Sequence, residues 1–233
     1  HDLADGNLLC GEAGGSGALR LPDMPDIGVR TPTGWKEPLL SVARHGAGVD
    51  CFFRHRDAMA AQGGGVAVHL TAPERIRNRD SEYPYRFDSH FWYLTGFGEP
   101  GAALALVAHG DRREALLFCR ARDAEREIWD GYRHGPEVAA AAFGFDGAHP
   151  IDELDALMPA KLANAPALYC ALGSSADLDV RVQRWMSEVR AQSRSGSRTP
   201  AAIVDLLPIV DEMRLIKEPA ELDSMRRAAA ISV

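Results

Sequence analysis

Apolar and polar positions fall into distinct periods once the chain passes residue 50. "CFFRHRDAMAAQ" sets Phe52 or Phe53, Met59 and nearby alanines on one helical face, and the glycines at 63–65 end it. "VAVHL" then reads as a buried strand. Two apolar runs, 102–108 and 115–119, flank a polar turn containing Gly110 and Asp111, which is a strand, turn, strand signal. Pro136 opens a helix that Gly144 closes, and Ile151, Leu154, Leu157 and Met158 recur at helical spacing. "ALYCALG" gives a further buried strand, followed by Leu178, Val182, Trp185, Met186 and Val189 on one face of an amphipathic helix. Strands alternating with helices predict an α/β layered domain.

One stretch departs from this rhythm. Tyr83, Tyr85, Phe87, Phe91, Trp92, Tyr93 and Phe97 crowd into residues 80–100. The first three alternate with polar residues, as in a half-buried strand. Phe91, Trp92 and Tyr93 are consecutive and would point to both faces of any strand, so one large ring needs a second layer, a partner chain or a ligand. Residues 1–48 are rich in Gly and Pro without a steady apolar period, and are expected to form a disordered extension. The expected organisation is therefore an extension over 1–48, a domain over 49–200, and a linker with one helix over 201–233.

Composition narrows the function. The chain is 46% hydrophobic and 25% charged, which is ordinary for a globular protein. A net charge of −7 argues against nucleic acid or an anionic membrane as partner. Cysteines at 10, 51, 119 and 170 form no CxxC or metal-ligand spacing, so they read as free thiols in a reducing, cytoplasmic compartment. Neither a long apolar run nor a secretory signal is visible, and the first residue is His1 instead of Met. There is no HExxH, GxSxG or Walker A motif. His90 and His134 are the histidines worth following, yet no set of three ligands converges by spacing.

"DSEYPYRFDSHFWYLTGFGEPGAALAL", "REIWDGYRHGPEVA" and "DEMRLIKEPAELDSMRRAAAIS", in that order, closely resemble the N-terminal half of bacterial Xaa-Pro aminopeptidases, the aminopeptidase P branch of the creatinase and prolidase superfamily. The resemblance implies a non-catalytic α/β domain with a mixed sheet flanked by helices. It also implies a following pita-bread domain, whose Asp, His and Glu ligands hold a dinuclear manganese site. Such enzymes remove an N-terminal residue that precedes proline. On this resemblance the chain carries no catalytic residue and binds no metal or other cofactor itself, and its last segment looks like the first helix of the catalytic domain. In that helix Pro219 suits the first turn, while Leu222, Met225 and Ala229 form a narrow apolar stripe.

The resemblance further implies homo-oligomer contacts through this domain. Trp92 matches a tryptophan that reaches the mouth of a neighbouring subunit's active site. Tyr93 beside it and Arg133 are further candidates for substrate access or oligomer contact; Arg133 and Asp130 match a family motif, with ordering of the loop between strand and helix as the alternative role. The alternative is a stand-alone, catalytically dead module that binds peptide or protein, because the same domain type recurs in the large subunit of a eukaryotic histone chaperone.

Overall fold

A computed structural model of the chain describes residues 63–232. The extension over 1–48 and the helix expected at 51–62 lie outside the described residues. The fold is built on a six-stranded sheet in the order β4-β3-β2-β1-β5-β6. Its strands are β1 (Gly65–Leu70), β2 (Ala103–His109), β3 (Arg112–Cys119), β4 (Gly147–Pro150), β5 (Ala167–Cys170) and β6 (Ala202–Asp205). The helices are α1 (Ser89–Thr95), α2 (Ala124–Asp130), α3 (Gly135–Phe143), α4 (Leu154–Leu162), α5 (Ala176–Ala191), α6 (Leu207–Leu215) and α7 (Pro219–Ser232).

Connection length explains the mixed directions. Only Gly110 and Asp111 separate β2 from β3, so these strands pair antiparallel, with Leu104 opposite Leu117 and Leu106 opposite Ala115. β1 also runs antiparallel to β2, placing Ala67 opposite Leu106. The β3–β4, β1–β5 and β5–β6 pairs are parallel and need longer crossovers. α3 lies in the chain between β3 and β4, and α5 between β5 and β6. The expected mixed sheet flanked by helices is the observed architecture.

Alternation along the strands sorts the core into two layers. Ala67, Leu104, Leu106, Leu117 and Tyr169 face α1, α3 and α6 through Phe91, Leu94, Ala139 and Val210. Val66, Val68, Ala105, Val107, Phe118 and Leu168 face α4 and α5 through Leu154, Met158, Leu162, Val182 and Trp185. Glycine is required where β1 begins. At Gly64 (φ +78°) an added Cβ would sit 2.3 Å from the Ala108 carbonyl oxygen, closer than any side chain tolerates.

The half-buried strand expected from Tyr83, Tyr85 and Phe87 is absent. Residues 80–88 are irregular apart from an isolated bridge between Ile76 and Glu82. Phe91, Trp92 and Tyr93 lie on a helix, not on an extended segment. Asp88 at the N-cap and Gly96 in the left-handed conformation (φ 66°) bracket one short helical segment, and these local caps override the period-two pattern.

Residues 201–233, read from the sequence as linker and helix, begin with β6, which pairs with β5 from Ala202 to Asp205. Leu206, just ahead of α6, and Val210 within it are buried and close the layer. α7 leaves Met225 and Ile231 exposed, so its apolar stripe faces open surroundings. Among the described residues no helix is long and apolar enough to cross a membrane.

Candidate functional site

α1 holds its rings apart by helical geometry. Phe91, Leu94 and Thr95 turn into the core, while Trp92 and Tyr93 are only partly buried. Trp92 stacks on Phe87 with ring centroids 4.3 Å apart and planes 19° apart. The Arg86 guanidinium lies 4.7 Å from the Phe87 centroid. Gly98 lets the indole lie close over the backbone, since a Cβ there would come 3.0 Å from Trp92 Cζ3. The ring is thus held in one orientation with part of its surface open.

Tyr93 takes a different part. Its hydroxyl donates to the Met213 carbonyl at 3.1 Å, and the Arg214 guanidinium carbon lies 5.6 Å from its ring centroid. Tyr93 therefore ties α1 to α6. Arg133 donates to Asp130 at 2.8 Å and has a 12% exposed side chain, so it orders the loop that leaves α2.

That loop meets the one leaving α1. Glu99 Oε1 accepts the His134 backbone N–H at 2.9 Å and lies 2.5 Å from His134 Nδ1, while Phe97 and His134 ring centroids are 5.9 Å apart. The structure thus brings the Trp92 and Arg133 segments together through Glu99 and His134. Arg120 lies 3.9 Å from Glu99, whose Oε2 is buried without a hydrogen-bond partner. No local pattern signals a pair 35 residues apart, although the sequence marks His134 as a histidine worth following.

Asp88 is the residue on which α1 depends. Its Oδ1 accepts the N–H groups of His90 at 2.9 Å and Phe91 at 2.8 Å, and lies 3.0 Å from His69 Nε2. Burial raises its carboxyl, but the His69 hydrogen bond and the Phe91 and His90 amides outweigh it and hold it at about 2. A folded pKa below the ordinary 3.8 adds stability that is present above that value and lost as pH falls through about 2. Asp88→Ala should therefore cost about 1–2 kcal/mol at neutral pH, as N-cap losses do. The gap between variant and parent should close in acid; urea unfolding at neutral pH and near pH 2 checks both.

Burial pushes the Cys119 thiol up to about 12 and the Cys170 thiol to about 11, so neither serves as a ready nucleophile. Among the described residues no group of three or more His, Cys, Asp or Glu could hold a metal ion. The site can bind and orient through an aromatic surface.

Comparison with known proteins decides the family. The family model described as "Aminopeptidase P, N-terminal domain" matches residues 52–169. The chain belongs to the aminopeptidase P family. The matched segment contains α1, Trp92, Tyr93 and Arg133. Escherichia coli Xaa-Pro aminopeptidase is 40% identical over 184 residues, covering 78% of this chain and 42% of the relative. Human Xaa-Pro aminopeptidase 3 is 30% identical, covering 72% and 33%. A solved structure of zinc-substituted E. coli aminopeptidase P in complex with product superposes with a TM-score of 0.73 at 39% identity, over 78% of this chain and 42% of that one. Pseudomonas aeruginosa aminopeptidase PepP gives 0.72 at 41% identity, over 78% and 41%. The chain thus spans about two fifths of the length of these bacterial aminopeptidases P, as their N-terminal domain.

Proposed function

We propose that this chain acts as the non-catalytic N-terminal domain of a cytoplasmic Xaa-Pro aminopeptidase, making homo-oligomer contacts and shaping substrate access at a neighbouring subunit. The observation that carries this reading is Trp92, stacked on Phe87 on a capped helix yet only partly buried. A flat apolar ring held this way can lie against the proline of a peptide and exclude water from its bond. Tyr93 would keep the helix seated on α6. Arg133, through Asp130, would fix the loop that joins it at the subunit contact. Exposed apolar surface for a partner is present on α2, where Ile128 is 76% and Trp129 86% exposed.

Hydrolysis in this reading belongs to the dinuclear manganese site of the catalytic domain. The described residues here do not fit that centre. The purified chain, supplied with Mn²⁺ and a peptide with proline in second position, should release no N-terminal amino acid above background. Steady, chelator-sensitive release would contradict the non-catalytic assignment. The exposed Ile128 and Trp129 also suit a stand-alone peptide- or protein-binding module. Peptide binding by the isolated chain, unchanged by adding the catalytic domain, would favour that reading.

A further inference from the structure

The α1 and α6 helices meet through a small set of charged and titratable groups. Arg214 Nη1 lies 3.0 Å from His90 Nδ1. A guanidinium can only donate, so Nδ1 must offer its lone pair and His90 is the neutral imidazole with its proton on Nε2. That proton faces Asp211, whose Oδ1 is 3.7 Å from Nε2. Protonating His90 would take away Arg214's acceptor and set two cations against each other.

The other groups around His90 come from each neighbouring element. From β1, the His69 ring centroid is 6.4 Å away. Asp88 caps the same helix turn. Tyr93 lies beneath Arg214 and bonds the Met213 carbonyl. Burial, then Arg214, oppose the imidazolium, Asp88 and Asp211 favour it and His69 opposes it, and the sum lowers the His90 pKa from the ordinary 6.5.

We propose that His90 and Arg214 form a proton-operated clasp between α1 and α6, closed when His90 is neutral and opened by its protonation. Because only residues 216–218 separate α6 from α7, opening the clasp loosens both the support of α1 and the connection to α7. This device rests on contacts within the domain and is independent of the peptidase reading. A lowered folded pKa means that the clasp's stabilisation is complete above about pH 6.5 and is lost as pH falls through the folded value.

The test combines histidine Cε1–H NMR titration with amide exchange of the whole chain. Parent, His90→Gln, Arg214→Met and Asp211→Asn are compared. His90 should titrate below the ordinary value of 6.5 in the parent. Arg214→Met should raise that pKa and Asp211→Asn should lower it. Protection factors of the α6 amides should fall by about threefold or more in the parent as pH drops from neutral through the His90 titration observed by NMR. In His90→Gln, whose amide oxygen can still accept from Arg214 but does not titrate, that fall should vanish. An equal fall in His90→Gln, or a His90 pKa that Arg214→Met leaves unmoved, would overturn the proposal.

Discussion

Trp185→Ala should lower the unfolding free energy by roughly 3–5 kcal/mol, the usual cost of removing a fully buried tryptophan. Trp185 has 0% exposure and fills the layer between α5 and the sheet, in a cluster with Leu154, Met158, Leu168, Val182 and Val189. Its Nε1–H donates to Asp155 Oδ1 at 2.8 Å, joining α5 to α4. Truncation would therefore open a cavity and remove a donor from Asp155, which Arg181 and Arg184 still hold. A loss of this size is a large share of the roughly 5–15 kcal/mol that holds an ordinary domain together. Trp185→Phe keeps most of the ring and should cost about 1–2 kcal/mol, the range for a lost buried hydrogen bond and a small volume change. Urea unfolding of the two variants, with unchanged slopes, separates packing from hydrogen bonding.

How legible each element was depends on how it is buried. β1, β2, β3 and β5 are covered on both faces, so they read as continuous apolar runs. α5 repeats its apolar positions over 16 residues, long enough for the helical period to show. β4 and β6 are as short as β5 but sit at the edges of the sheet with none of their residues buried, so "GAHP" and "AIVD" carry too little pattern to be found. α1 is hidden in the sequence for a related reason. In 7 residues its rings gave no helical period, and the signal lay in the flanking Asp88 and Gly96.

The candidate site divides the same way. Trp92 was reached through the family resemblance, and the structure supplies its stacking on Phe87. Tyr93 and Arg133 could be named but not distinguished from Trp92, because their partners Met213 and Asp130 are matters of chain geometry. The His69–Asp88 and Glu99–His134 contacts span 19 and 35 residues, a separation at which one sequence carries no contact signal.

The central proposal, that Trp92 is held for a partner's substrate and not for the core, is tested most directly by Trp92→Ala in a full-length aminopeptidase P that carries this domain. Thermal unfolding and peptidase kinetics are measured on the same preparation. Losing the Phe87 stack should cost only about 1–2 kcal/mol of stability, since aromatic pairs add about 0.5–1.5 kcal/mol and the ring is partly exposed. The same change should lower kcat/KM for Xaa-Pro peptides by about 1–3 kcal/mol of transition-state binding, roughly 5- to 150-fold, per folded enzyme. A stability loss matching that of Trp185→Ala, with normal kinetics per folded molecule, would contradict the claim and return Trp92 to the core.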